Sequence, residues 1–374
     1  MYKLFEEEKK ELTKAAKKIY KQFNRELLDH AKQQKSRNAF LLEKEKTILQ
    51  VFNNFDVKIK IKNKINGFQS VLFEITPESA EELKKMIKNK KMIEYYLQSE
   101  IKQDQASFII EYQKEEKDIL YLYDIIENNN KNNINVNIGK DQNNSIINMN
   151  VEKLPHLLIG GTTGSGKSVF INSLITSLIY NYTSETIKLF LVDPKRTELK
   201  QFENISHLYY NIINDIESTN LLLDFLIKEM RERYILLEKN NCKNIQEYNK
   251  KASKKIPFYI CIIDELADLM LQDKKNIEIK LCKIAQLSRA CGIHLIIATQ
   301  RPSTDIITGL IKSNFPSRLC FKVASVYDSR TILDTKGGEL LQGNGEAIYK
   351  NVNSTNYIKI QTPFVSTEEL EKIL

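Results

Sequence analysis

HLLIGGTTGSGKSV, residues 156–169, sets a strand-length apolar run directly against a glycine-rich turn that closes on Lys-Ser. The turn, Gly161-Thr-Thr-Gly-Ser-Gly-Lys-Ser168, satisfies GxxxxGK[ST] at every defined position. The residues after it, SVFINSLITSLI, read as a helix. Strand, loop and helix in that order are the context this motif requires; a chance glycine-rich turn would lack the flanking elements. Gly161, Gly164 and Gly166 let backbone amides approach an anion with no Cβ in the way, and Thr162, Thr163 and Ser165 complete the cradle. The helix N-terminus adds the positive end of its dipole. Lys167 is expected to reach the β- and γ-phosphates of ATP, and the Ser168 hydroxyl to ligate Mg²⁺.

Further along, IKLFLVD (187–193), FYICIID (258–264) and IHLIIATQ (293–300) are continuous apolar runs. Helical stretches separate them, the longest from Ser218 to Glu238. Such alternation implies an α/β core with a mainly parallel sheet covered on both faces, and chemistry at the carboxyl ends of its strands. Phe258–Ile263 runs straight into Asp264 and Glu265. Asp264 there suits the second half of a magnesium site, held through water, and Glu265 suits a general base on the attacking water. A helix N-cap for the following ELADLML would put acids at the same place. The phosphate loop upstream favours the catalytic reading. Gln300, at the tip of the next strand, is placed to sense a γ-phosphate and orient water, against the alternative of a loop amide bonded to backbone.

Ahead of this core the pattern changes. Residues 1–50 are rich in Lys, Glu, Gln and Ala, with Leu4, Phe5, Leu12 and Ala15 at helical spacing, and read as one or two surface helices. Residues 51–130 read as a small α+β domain. VKIKIK (57–62) alternates strictly, VLFEI (71–75) and SFIIEY (107–112) are β-rich, and a helical segment opens at Pro77 and Ser79. ENNNKNNINVN (127–137) reads as a surface linker or hairpin, and residues 131–374 as the core domain.

Composition bounds the rest. With 42% hydrophobic and 28% charged residues the chain is of ordinary globular make-up. Its 56 basic against 48 acidic residues give +8, which permits a polyanionic partner without demanding one. Cys242, Cys261, Cys282, Cys291 and Cys320 show no metal-ligand spacing and read as small apolar residues in a reducing cytoplasm. No apolar run approaches the roughly 20 residues of a membrane helix. The N-terminus has no apolar signal-peptide core, so a soluble protein is expected.

Several segments together resemble the FtsK/SpoIIIE family of translocases. They are LPHLLIGGTTGSGKSV, LVDPKRTEL, EMRERY, IIDELADLM and the long SRACGIHLIIATQRPSTDIITGLIKSNFPSRLCFKVASVYDSRTILD, spanning about residues 140–350. The resemblance implies a RecA-like P-loop ATPase core behind a small α+β domain. It further implies a homo-oligomer, a hexameric ring around double-stranded DNA, with ATP sites between neighbours. Arg289 in SRACGIH best matches an arginine supplied in trans, with Arg318 second and a surface ion pair as the plain alternative for Arg289. Arg301 in TQRP and Lys312 in GLIKSN match positions facing DNA, where phosphate contacts suit a motor indifferent to sequence; solvated loop charge is the alternative.

Two departures stand out. Val326 occupies a place where relatives commonly carry Lys, and LVDPKRTEL looks closer to mobile-element relatives. From its two ends, the sequence is expected to lack membrane helices and, stopping at Leu374, a C-terminal winged-helix module. A separate membrane-anchoring or DNA-orienting partner is one expectation, a motor-only protein the other. The rival functions are a ring motor for protein secretion, a conjugative coupling protein, and a DNA-binding scaffold with a vestigial ATP site.

Overall fold

Apolar residues at every position of a strand demand cover on both faces, and the large sheet of this protein has it. The computed structural model describes residues 25–29, 37–104, 107–115, 117–126, 133–153, 156–352 and 356–374. The surface helices expected over Leu4 to Ala15, and the segment 127–132, lie outside these. The chain divides into two compact units: Ala31–Leu120 with Lys140–Ile146, and the remainder.

The smaller unit starts with α1 (Arg37–Asn54), so the helix crossing residue 50 shares a core with the strands that follow it. Strands β1 (Ile59–Asn66) and β2 (Ser70–Pro77), helix α2 (Ala80–Leu97), then β3 (Ile101–Asp104) and β4 (Ser107–Gln113) complete it. The sheet order is β1-β2-β4-β3, antiparallel throughout. Ser79 caps α2 by accepting the Glu82 amide at 3.2 Å. Phe73, Ile75, Met86 and Ile93 pack with Ile48 and Phe52 of α1 as its core.

In the larger unit the chain runs β5 (Asn135–Asp141), β6 (Ile146–Asn150), β7 (His156–Gly160), α3 (Lys167–Asn181), β8 (Ile187–Val192), α4 (Ile216–Lys239), α5 (Ile245–Lys251), β9 (Phe258–Ile263) and α6 (Leu266–Leu287). It continues through β10 (Ile293–Thr299), α7 (Gly309–Asn314), β11 (Ser317–Phe321), α8 (Val326–Leu333), β12 (Glu346–Lys350), β13 (Tyr357–Gln361) and α9 (Thr367–Ile373). One nine-stranded sheet results, in the order β6-β5-β13-β12-β11-β7-β10-β9-β8. The five strands β8, β9, β10, β7 and β11 pair in parallel, while β12 pairs antiparallel with both β11 and β13. Alternate side chains feed two cores: Leu189, Leu191, Ile260 and Ile262 on one face, Phe190, Val192, Cys261 and Ile263 on the other. Four of the five cysteines are buried as free thiols. No described helix is long and apolar enough to cross a membrane.

The Asn-rich stretch is expected as a surface linker or hairpin. Its last three residues, 135–137, open β5, because Ile134, Val136 and Ile138 alternate into the core beneath the asparagines. The polar groups are satisfied there: Asn137 donates to the Ile125 carbonyl at 2.7 Å, and the Asn135 amide to the Tyr182 hydroxyl at 2.7 Å. Composition hid a strand that periodicity supported.

Arg318, the second choice for an arginine acting in trans, is committed internally. It is 6% exposed and donates to the carbonyls of Phe315, Lys312 and Ile332 at 3.0–3.2 Å and to the carboxylate of Asp334. Asp334 also takes Lys312 at 2.6 Å and Lys350 at 3.5 Å. Burial works to raise the Asp334 carboxyl, but hydrogen bonds from Lys312 and Arg318 outweigh it and hold it down at about 2. Four of its five N–H donors are engaged by its own chain, which disfavours a role toward a neighbour.

Two outcomes are expected. Arg318→Met should lower unfolding free energy by about 2–4 kcal/mol, through three carbonyls and a carboxylate losing a donor, read from denaturant midpoints. Burial holds His207 down at about 4 and His156 at about 3, against an ordinary 6.5. Both are neutral when folded and protonate below pH 6.5 when unfolded, so their contribution is full above 6.5 and fades as pH falls toward 4. The melting temperature should decline between pH 6.5 and 5, and less steeply in His207→Gln.

Candidate nucleotide site

The strand that ends in the phosphate loop, β7, lies between β10 and β11, and β10 separates it from β9. In register, Thr299 faces Gly160 on one side of β10, and Ile297 faces Ile263 on the other. The phosphate loop, the tip of β10 and the acidic end of β9 therefore emerge side by side at the carboxyl edge, the usual place for a ligand in such a sheet.

Backbone contacts shape the loop. The Gly161 amide donates to the Thr299 carbonyl at 3.2 Å, and the Thr162 amide to the Lys322 carbonyl at 2.9 Å. Gly166 has φ +105°, and a Cβ there would meet the Gly345 amide nitrogen at 2.4 Å. That nitrogen donates to the Ser165 carbonyl at 3.0 Å. Gly343, Asn344 and Gly345, all at positive φ, thus form a second turn under the phosphate loop. The sequence reading missed it, although Gly-Asn-Gly is a legible turn signal. Gly166 is the N-cap of α3 and offers no side-chain cap, so the first amides of the helix are left for an anion.

Lys167 and Asp264 meet as a buried pair. The ammonium lies 2.8 Å from Asp264 Oδ1 and 3.0 Å from its carbonyl, both side chains being almost fully buried. Burial pushes the Asp264 carboxyl up, Lys167 opposes this, and Glu198 and Asp193 add negative charge that raises it further. Asp264 Oδ2 and the Ser165 hydroxyl are buried without a hydrogen-bond partner. A phosphate beside Ser165 and a hydrated divalent cation beside Asp264 fit those two atoms. Ser168, the other expected magnesium ligand, is half-buried at the start of α3 beside Lys167.

Glu265 is 1% exposed. Its Oε1 accepts the Thr299 hydroxyl at 2.7 Å, the Gln300 amide at 3.2 Å and, weakly, the Ala267 amide at 3.4 Å. Its Oε2 accepts the Gln300 amide at 3.2 Å and pairs with Lys195 at 3.1 Å. It is also the N-cap of α6, so the capping reading and the carboxylate at the site coexist. The Gln300 side-chain carbonyl accepts the Thr163 hydroxyl at 2.9 Å, which ties the β10 tip to the phosphate loop. Thr299 and Lys195 were not singled out in the sequence. For Thr299 the signal was a hydroxyl one residue before Gln300; for Lys195 it was membership of LVDPKRTEL, with no sign of its partner short of the fold.

The basic residues fall elsewhere. Arg289 is exposed just before β10, at the amino end of the strand. Seven residues at about 3.3 Å each separate it by roughly 23 Å from the carboxyl edge of its own subunit. It lines an open groove with Lys153, Tyr234, Lys243 and Lys250. Arg301 is exposed directly after Gln300. Lys312 spends its ammonium on Asp334 and the Arg330 carbonyl.

Residues 126–304 match the model of the FtsK/SpoIIIE family. The DNA translocase FtsK of Leptospira interrogans is 44% identical over 267 residues, covering 68% of this chain and 28% of that protein. The DNA translocase FtsK of Clostridium acetobutylicum is 36% identical over 359 residues, 92% of this chain and 47% of that one. The chain thus spans less than half the length of these two relatives. Among solved structures, the pCW3 conjugation coupling protein TcpA superposes with a TM-score of 0.64 at 24% identity, over 88% of this chain and 98% of that one. The Type VII secretion ATPase EccC of Thermomonospora curvata follows at 0.57 and 21%, over 68% of this chain and 34% of that one. These two establish the P-loop ATPase fold. The phosphate loop, the acidic strand end and the strand between them agree with the sequence identity: the chain belongs to the FtsK/SpoIIIE family.

Proposed function

We propose that this chain is a Mg²⁺-dependent ATPase that moves double-stranded DNA, acting as a hexameric ring with nucleotide sites between subunits. The observation that carries the reading is the position of Glu265, a buried carboxylate fixed by Thr299 and Gln300 beside the Lys167–Asp264 pair. Polarising a water for attack on a terminal phosphate needs a carboxylate held at that distance from the phosphate cradle. The relatives named DNA translocase supply the substrate class.

In this reading the amides of Gly161–Ser168 hold the phosphates, and Lys167 leaves Asp264 for the β- and γ-phosphates. Ser168 directly and Asp264 through water would hold Mg²⁺, which would supply neutralisation of charge developing on the phosphates. Glu265 takes a proton from the attacking water while Gln300 orients it. Arg289, remote from its own loop, serves the site of the adjacent subunit. Arg301 and Lys312 contact DNA phosphates, Lys312 after leaving Asp334. A membrane-anchoring or DNA-orienting partner would tether the ring from the cytoplasmic side.

Turnover of ATP should rise on adding long linear duplex DNA at fixed moderate salt, and Lys167→Ala should abolish it in both conditions. A rise with polypeptide and none with DNA would instead support a secretion motor. Glu265→Gln should bind nucleotide normally while losing roughly 10²–10⁴-fold in kcat, the span of a lost general base. In mixed rings of Arg289→Ala and Lys167→Ala subunits, each inactive alone, turnover should return at interfaces that join an intact phosphate loop to an intact arginine of the neighbour. No recovery on mixing would rule out the role in trans.

A further inference from the structure

The mechanism above leaves one charged residue of the site unused. Lys195 sits in the turn that leaves β8, the edge strand of the sheet, three residues beyond Val192. Val192 faces Ile263 in register, and Glu265 stands two residues beyond Ile263, so the two carboxyl ends are adjacent by construction. The turn is firmly built. Asp193 Oδ2 accepts the amides of Glu198 and Leu199 at 3.0 and 3.1 Å. The Arg196 amide donates to the Asp193 carbonyl, with Arg196 at φ +59° and its guanidinium on Asn214 at 2.9 Å. This frame aims Lys195 Nζ at Glu265 Oε2, 3.1 Å away.

The two oxygens of Glu265 are held differently. Oε1 is bound by groups fixed in β10 and α6: the Thr299 hydroxyl and the Gln300 and Ala267 amides. Oε2 takes only a shared Gln300 amide and the end of a flexible four-methylene chain that is 38% exposed. A carboxylate that must accept a proton from water needs an open lone pair, and the ammonium of Lys195 covers the one that can be opened. We propose that Lys195 is a positioning residue that latches Glu265 in the idle motor and must withdraw from Oε2 before water can be activated. The inference rests on Glu265 being the general base. The latch lies in the turn after β8, whose outer side is bonded to residues 207–213 through Leu189, Leu191 and Asp193, so anything that engages that turn can move it without disturbing the phosphate loop.

The test compares steady-state ATP turnover of the wild-type chain, Lys195→Met, Lys195→Arg and Lys195→Met/Glu265→Gln, with and without linear duplex DNA. Lys195→Met should raise the DNA-free kcat several-fold at unchanged KM and shrink the ratio of DNA-stimulated to basal turnover. Lys195→Arg, which keeps the charge on Oε2, should restore the low basal rate, and the double variant should be as inactive as Glu265→Gln. Melting temperatures of the wild-type chain, Lys195→Met and Lys195→Arg should agree within a few degrees, since the Lys195 side chain reaches solvent. A DNA-free kcat in Lys195→Met that is unchanged or lower overturns the latch, and a raised KM does so in favour of a direct contact with nucleotide. If the wild-type chain turns over ATP but Glu265→Gln matches it, the base assignment fails first and the latch with it.

Discussion

Everything at the nucleotide site depends on β10 lying between β7 and β9. Strand spacing of about 4.8 Å means that one inserted strand sets the phosphate loop and the acidic strand end nearly 10 Å apart. That gap is wide enough for a terminal phosphate and a water. The tip of β10 fills the middle of it: the Thr299 carbonyl receives the Gly161 amide, the Thr299 hydroxyl fixes Glu265, and the Gln300 amide fixes it again. All seven residues of β10 are buried, so the strand has no freedom to slide and the register is fixed by packing on both faces.

Charge is arranged around this scaffold in two pairs. Lys167 with Asp264 is buried, and Asp264 carries an uncompensated oxygen that burial disfavours as a charge. Such an arrangement resists persisting without a cation, because one buried partner cannot satisfy both oxygens. Lys195 with Glu265 is half-open to solvent, and so is weaker and reversible. The buried pair suits holding nucleotide and metal, the open one suits gating. A third cluster, Asp334 with Lys312, Arg318 and Lys350, ties α7 to β11 and β12 and lies outside the nucleotide site.

The turn Gly343–Asn344–Gly345 links the antiparallel extension of the sheet to catalysis. The Thr362 amide donates to the Gly345 carbonyl at 2.9 Å and the Thr362 hydroxyl does so at 2.8 Å, while Gln361 donates to the Asn344 carbonyl at 2.8 Å. Strand β13 thereby braces the turn that braces Ser165. A change at the end of β13 would reach the turn through three hydrogen bonds and the phosphate loop through a fourth, from the Gly345 amide to the Ser165 carbonyl.

The phosphate loop and the acid pair were legible in the sequence because each is contiguous: GTTGSGKS and the apolar run ending in Asp264-Glu265 carry their chemistry in adjacent residues. The parallel core was legible for the same reason, since continuous apolar runs have no stable arrangement other than burial on both faces. Tertiary structure alone decided which strands are neighbours. That order placed Thr299 and Lys195 on Glu265 and turned Arg318 into an internal strut. These are contacts between residues 16 to 70 positions apart, and local propensity holds no information about such closures, which are fixed by the register of buried strands. The β5 strand marks the boundary between the two kinds of knowledge. Its Ile-Val-Ile alternation was written in the sequence, but only the tertiary fold supplied Tyr182 and Ile125 as partners for asparagines that otherwise read as a loop or hairpin.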